Sequence, residues 1–320
     1  MVPAGVEAGD RLAVLCGPTA VGKTALAVLL AERMAAEIVC ADSRTIYRGM
    51  DIGTAKPAPE LRRRIPHHLL DVADPHEMFT LADYQRLARQ AINAVRDRGR
   101  LPLIVGGSGL HIGAIVDDLV IPPVSPDSAL RRALEAEERE HGPGHLHARL
   151  VALDPAAAAH IHPRNVRRIV RALEVTLLTG RPISAQQRRR APTGPVVMVG
   201  LAADRSSLYA RIDARVDEQV AAGLVEEVRG LLSQGIPEDA PAMGGLGYKE
   251  IAGWLRGTYE YEEAVRRLKR NTRHFAKRQL TWFRRDPRIV WVDVTVGDSM
   301  AIVDRVHAIM DAELSPQRRE

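Results

Sequence analysis

The chain is predicted to fold as an α/β protein in which helices flank a parallel sheet and a helical segment interrupts the order. Three observations predict this. The apolar strand Arg11–Cys16 runs directly into glycine-rich GPTAVGKT, which opens a helix. Strand-like and helix-like stretches then alternate, the pattern of parallel strands joined by covering helices. After Ile121-Pro122-Pro123 the character turns helical until about Pro195, where strand-like Val196–Leu201 resumes the sheet.

Each element follows from local pattern. The first helix is expected through about Ala35, and a second apolar run, Glu37–Cys40, ends on Ala41-Asp42-Ser43. Leu81–Arg98 carries Leu81, Tyr84, Leu87, Ala88, Ala91 and Val95 on one helical stripe and leads into strand Leu101–Val105. Two helical pieces, Ser128–Glu140 and Asn165–Leu178, flank His/Gly/Pro-rich turns around His141–His147. Beyond Val196–Leu201, helices are expected over Ser206–Gln234, Tyr248–Leu255 and Tyr261–Arg285, then a strand Ile289–Val294 and a short helix. The long helix has Val265, Leu268, Thr272, Ala276, Gln279 and Phe283 near one face and Arg266, Arg270, Arg273 and Lys277 on another. The expected division is a core of 10–118 and 195–315 with a helical insertion at 119–194.

Composition excludes several classes. With 320 residues, 46% hydrophobic and 27% charged, the chain has ordinary globular usage. Its longest apolar runs, such as Leu12–Leu15 and Val196–Val199, fall far short of the roughly 20 residues a bilayer span needs. The N-terminal stretch lacks a signal-peptide pattern, so a cytoplasmic protein without membrane contact is expected; a monomer is expected as well. Cys16 and Cys40 cannot build a disulfide framework and are expected to be reduced and buried at strand ends.

Charge is unevenly placed. Net charge is +5, but Arg164–Arg190 holds eight Arg against Glu174, and Arg266–Arg288 holds ten bases against Asp286. The two windows sum to +16, so the rest of the chain carries −11. Such clustering is the footprint expected of a polyanion surface, and a solvated helix face is the alternative reading of either window.

Gly17-Pro18-Thr19-Ala20-Val21-Gly22-Lys23-Thr24 fits G-x-x-x-x-G-K-[ST] between a strand and a helix, and the sheet is therefore read as P-loop NTPase-like. Backbone N–H groups and the helix N-terminus would surround an oligophosphate, as in nucleotide and ATP sites. Lys23 would add a point charge, and the Thr24 hydroxyl could ligand Mg²⁺. The third strand ends on Gly106-Gly107-Ser108-Gly109 rather than on a metal-binding Asp, which disfavours a motor or switch ATPase. The second strand instead ends on Asp42, beside the cradle, where a carboxylate can take a proton from a nucleophile attacking a phosphate-bearing group. Diphosphate as leaving group, with Asp42 orienting or deprotonating the acceptor, is the mechanism these residues suggest.

Seven stretches in order, GPTAVGKT, ADSRTIYRGMDIGTAKP, PHHLLDV, VGGSGLHI, HPRNVRRIVRALEV, GLGYKE and AKRQLTWFRRD, resemble the tRNA dimethylallyltransferase (tRNA isopentenyltransferase) family over nearly the whole chain. The resemblance implies transfer of a dimethylallyl group from its diphosphate to N6 of the adenosine next to the anticodon, at tRNA position 37, with Mg²⁺. It makes Asp42 the general base, Thr19 a hydroxyl donor to the diphosphate, and Arg215 the catalytic arginine, with Arg211 as competitor. It places Asp42, Ser43, Arg44 and Thr45 at the extruded adenosine. Ser108, Arg131, Arg167, Arg168, Arg171, Lys277, Arg278, Gln279 and Arg284 are placed against the anticodon stem-loop. Trp282 or Phe283 could stack on a base, although Trp282 is read as core. The sequence departs from the family pattern at Thr45, Ser108, His111, Gly113 and Gly244–Leu246, none of which touches the cradle.

Three rivals remain on sequence grounds. A P-loop small-molecule kinase shares the cradle but leaves the basic windows unexplained. A prenyltransferase acting on free adenine nucleotides would not need the insertion's Arg cluster. An RNA-binding protein with a structural nucleotide would not need Asp42.

Overall fold

The computed structural model of the chain describes residues 10–189 and 194–315. In chain order the elements begin with β1 (Leu12–Cys16), α1 (Lys23–Arg33), β2 (Ala36–Ala41), α2 (Pro59–Arg64), β3 (His67–His68), α3 (Leu81–Asp97), β4 (Leu101–Gly106) and α4 (Gly109–Val116). Next come α5 (Ser128–His141), α6 (His145–Leu153), α7 (Pro155–His160), α8 (Val166–Thr179) and α9 (Ile183–Gln186). The chain closes with β5 (Val196–Ala202), α10 (Arg205–Ala221), α11 (Leu224–Ser233), α12 (Tyr248–Leu255), α13 (Tyr261–Phe283), β6 (Ile289–Asp293) and α14 (Ser299–Leu314). Asp117–Ala191 forms one compact unit, and the segments before and after it form the other.

The six strands are all parallel, in the order β3-β2-β4-β1-β5-β6. Successive residues of a strand face opposite sides, so the sheet builds two cores. Ala13, Leu15, Ile38 and Leu103 pack with α1 and with Val303, Val306 and Met310 of α14. Leu12, Val14, Val39 and Ile104 pack with Tyr84, Ala88 and Ile92 of α3 and Ile112 of α4. A third cluster joins Ile46, Tyr47 and Met50 to Val216, Val228, Tyr248 and Leu268, tying the segment after β2 to α10–α13.

Register sets where the chemistry can sit. Cys16 pairs with Gly106 and Gly106 with Ala41, so Gly17, Gly107 and Asp42 leave the sheet at one level, at the carboxyl ends of three adjacent strands. Ligands of open parallel sheets bind in the crevice at such strand ends.

Several boundaries differ from expectation. The stretch expected as one helix, Ser206–Gln234, is two, because Gly223 takes a φ of 100° and caps α11. Local side-chain bonds also decide helix starts: Thr80 and Asp83 form a reciprocal capping box for α3, and Asp204 accepts from the Ser207 N–H at the start of α10. The final helix is 16 residues long rather than short. The helical unit holds α5–α9 rather than two helices, and its chain is already helical again at His145. Leu134, Leu146, Leu150, Ile169, Val170 and Leu173 form its core.

That unit also buries an ion cluster. The Glu174 carboxylate, with no exposed side-chain surface, accepts from Arg131 (2.8 Å from Nε and from Nη2), Arg171 (2.6 Å) and the Asp127 N–H (2.8 Å). Two of the arginines expected at the anticodon stem-loop are therefore committed to an internal carboxylate, each keeping about a third of its side chain exposed.

Candidate active site

The glycine-rich loop bends sharply because its glycines take conformations closed to other residues. Gly17 has a φ of 146°, and a Cβ there would fall 2.6 Å from the Leu201 carbonyl oxygen of β5. Gly106 at the end of β4 lies equally close to its neighbour, since a Cβ would meet the Ala41 carbonyl oxygen at 2.0 Å. The strand ends thus approach until only backbone fits between them.

Around this seam opens a pocket lined by Thr19, Lys23, Thr24, Asp42, Thr45, Arg215 and Gln279, with an apolar portion that includes Ile38, Cys40, Ala55, Pro57 and Leu70. Lys23 folds back to donate from Nζ to the Gly17 and Pro18 carbonyl oxygens at 3.0 and 2.7 Å. Burial, then the positive Arg215 nearby, lowers its pKa to about 8, while Asp42 pulls the other way. The Arg215 guanidinium is likewise lowered by burial and supported by Asp42, and among the described residues it has no hydrogen-bond partner. Two crowded cations and one carboxylate make a site short of negative charge, suited to an anion.

Asp42 is half-buried. Its Oδ1 accepts from the Arg44 N–H at 2.8 Å, an Asx turn that fixes the carboxyl and leaves Oδ2 without a partner among the described residues. The Arg44 side chain is anchored on the Pro241 and Ala242 carbonyls, Ser43 is half-buried, and Thr45 is buried with an unpartnered Oγ1 in the pocket wall.

The two candidate arginines differ in position. Arg215 lines the pocket, whereas Arg211, one turn earlier on α10, donates to the Val294 and Thr295 carbonyls at 2.9 and 3.2 Å.

Gln279 differs from its expected place. It is 5% exposed, its Oε1 accepts from the Thr19 N–H at 2.8 Å, and its Nε2 donates to the Gly107 carbonyl at 2.9 Å. It ties the phosphate loop to the end of β4 instead of standing at a surface for RNA. One turn on, Trp282, expected in the core, is half exposed and lies over Gly109, where a Cβ would meet its ring at 2.1 Å. Phe283 takes the core position, 2% exposed.

The basic face of α13 divides in two. Toward its N-terminus Arg266 pairs with Glu263, Lys269 with Asp217 and Arg273 with Asp213. Lys277, Arg278 and Arg284 are exposed and, among the described residues, have no acidic partner. Arg167 and Arg168 are exposed in the helical unit. Ser108 donates to or accepts from His111 Nδ1 at 2.7 Å, and burial holds that imidazole down at about 4, so it is neutral at physiological pH.

The described residues contain no cluster of three or more His, Cys, Asp or Glu suited to a metal, and among them the Thr24 hydroxyl, in the pocket wall at the start of α1, has no protein partner and could serve as one oxygen ligand to a Mg²⁺ ion. No helix among the described residues is long and apolar enough to cross a membrane. Cys16 and Cys40 are free and buried, as expected.

Sequence reasoning gave no role to Thr54, Ala55, Pro57, His67, Leu70 or Phe275, which also line the pocket. Three of them, Thr54, Ala55 and Pro57, lie in the stretch MDIGTAKP, which the sequence presents only as part of the family resemblance.

Comparison with known proteins agrees with this geometry. The profile of the IPP transferase family matches residues 45–286. A tRNA dimethylallyltransferase of Symbiobacterium thermophilum is 52% identical over 286 residues, covering 89% of each chain. The crystal structure of the tRNA isopentenylpyrophosphate transferase of Bacillus halodurans superposes with a TM-score of 0.73 at 42% identity, covering 95% of this chain and 97% of that one. A eukaryotic dimethylallyltransferase acting on tRNA shares the fold, with a TM-score of 0.79 at 24% identity over 97% of this chain and 82% of its own. With a glycine-rich loop and the Asp42 carboxylate at adjacent strand ends, the Arg215 side chain lining the same pocket, and this similarity over most of its length, the chain belongs to the IPP transferase family.

Proposed function

We propose that the protein transfers a dimethylallyl group from dimethylallyl diphosphate to N6 of an adenosine in tRNA, next to the anticodon, and releases diphosphate. The observation that carries the reading is that Lys23, Asp42 and Arg215, from three separate segments, line one pocket at the phosphate loop.

The amides of Gly17–Thr24 and the N-terminus of α1 bind the diphosphate. Lys23 exchanges its bonds to Gly17 and Pro18 for phosphate oxygens, and the backbone of Thr19 stays in place because Gln279 holds it. Mg²⁺, when bound beside Thr24, neutralises part of the diphosphate charge. The allylic carbon–oxygen bond breaks with its electron pair going to diphosphate, whose growing charge Lys23 and Arg215 stabilise. The adenine N6 lone pair forms the new carbon–nitrogen bond, and the N6 proton passes to the free Oδ2 of Asp42. An adenine stacked in an RNA loop must be extruded to reach this depth, at a cost of a few kcal/mol. Lys277, Arg278, Arg284, Arg167 and Arg168 supply positive charge for the RNA backbone.

A small-molecule kinase is not favoured, since its family would share the cradle but not the similarity over 45–286. The test offers labelled dimethylallyl diphosphate with either an anticodon stem-loop RNA or AMP. Label in the RNA as N6-dimethylallyladenosine supports the proposal, and label in AMP alone overturns the choice of acceptor.

A further inference from the structure

The turn Asp51–Gly53 is held from three directions by side chains that no step above uses. One oxygen of the Glu227 carboxylate accepts the Asp51 and Ile52 N–H groups at 2.9 and 2.7 Å, and the other accepts the Gly53 N–H at 3.0 Å and the Tyr248 hydroxyl at 2.5 Å. Gln219 donates from Nε2 to the Ile52 and Gly53 carbonyls at 2.7 and 3.0 Å. The hydroxyl end of the Tyr248 ring lies so close to Gly53 that a Cβ there would fall 2.5 Å from it, so the turn can approach only as glycine. Every polar backbone group presented by Ile52 and Gly53 is therefore bound by α10 or α11.

This turn leads straight into Thr54, Ala55 and Pro57, which line the pocket with Ile38, Cys40 and Leu70. Its anchor on α10 is Gln219, four residues after Arg215, and side chains four apart share a helix face. One helix thus carries both the Arg215 guanidinium that lines the pocket and an anchor of the turn that leads into the pocket wall. Lys56 completes the fastening, its buried ammonium bonded to the Tyr47 carbonyl, Asp51 and Asp71 at 2.6, 2.6 and 2.5 Å.

We infer that Glu227, Gln219 and Tyr248 are positioning residues that hold the Thr54–Pro57 segment as the wall against the hydrocarbon end of a short prenyl diphosphate, in register with Arg215. The inference rests on the proposed reaction and says which part of the donor each side of the pocket recognises. The phosphate loop belongs to a different segment, anchored by Gln279, so loosening the turn disturbs the prenyl end and spares the diphosphate end.

The test uses Gln219→Ala, which removes two bonds from a half-buried side chain, and Tyr248→Phe, which removes one hydroxyl and keeps the ring on Gly53. With saturating stem-loop RNA, Gln219→Ala raises the KM for dimethylallyl diphosphate about threefold to tenfold. Its kcat and the inhibition constant of inorganic pyrophosphate stay within about twofold, and discrimination against geranyl diphosphate falls. Tyr248→Phe shifts KM in the same direction and by less. A KM and a pyrophosphate constant that rise together, or a KM that does not move in either variant, overturn the inference while leaving the reaction standing. A wild-type protein that transfers no prenyl group overturns the reaction, and the inference with it.

Discussion

Replacing Gln279 by Leu tests how the phosphate loop is held. The two side chains have nearly the same size, so the change leaves no large cavity and acts through polar groups. It deletes the bonds to the Thr19 N–H and the Gly107 carbonyl, each contributing about 1 kcal/mol net. At Gly107 the carbonyl is stranded in a buried setting, which raises that loss to about 1–3 kcal/mol, while the half-buried Thr19 N–H can recover water. The expected loss is about 2–4 kcal/mol of unfolding free energy, read from urea denaturation followed by circular dichroism with the slope unchanged. The KM for dimethylallyl diphosphate should rise as well, because Thr19 is no longer fixed. If Gln279 instead serves RNA, stability changes by less than about 0.5 kcal/mol and only RNA affinity falls. That result would refute the tether.

Further outcomes follow from the same geometry. Lys23 loses its proton in the folded protein near pH 8 rather than near its usual 10.5, so inorganic pyrophosphate should bind more weakly as pH rises through about 8. Stability moves oppositely: between about pH 8 and 10.5 the unfolded chain holds the extra proton, so unfolding free energy rises with pH there, and Lys23→Met should flatten both trends. Glu174→Gln leaves Arg131 and Arg171 facing a neutral amide, and with both arginines about a third exposed the cost should be about 2–3 kcal/mol, seen as a lowered melting transition. Lys277→Ala or Arg278→Ala should each make the salt dependence of RNA binding shallower by about one unit of log–log slope, and an unchanged slope would put them on a merely solvated face.

Much of this site was legible in the sequence because local rules govern it. G-x-x-x-x-G-K-T dictates its own loop, and Asp42 follows a strand whose end is marked by the polar Asp-Ser-Arg. What failed to show was direction. Gln279 and Trp282 lie three apart on α13; the amphipathic pattern puts Gln279 on the apolar face but does not say that it binds a loop 260 residues away, nor that the aromatic Trp282 turns out. Arg131 and Arg171 looked like free cations because Glu174, their partner, sat inside a basic window. The break at Gly223 and the extra helices α6, α7 and α9 depend on short turns between helices, which interrupt an apolar pattern too briefly to show in periodicity alone.

The central claim is that Asp42 takes the proton while the phosphate loop holds the leaving group. Asp42→Asn keeps an oxygen for the Arg44 N–H and so preserves the turn, but the amide cannot accept the proton. Nucleosides from stem-loop RNA treated with this variant and dimethylallyl diphosphate, quantified by mass spectrometry beside the RNA dissociation constant, give the direct measurement. Dimethylallyladenosine formation lowered by orders of magnitude with RNA affinity within about twofold is the predicted result, and formation near the wild-type rate would contradict it.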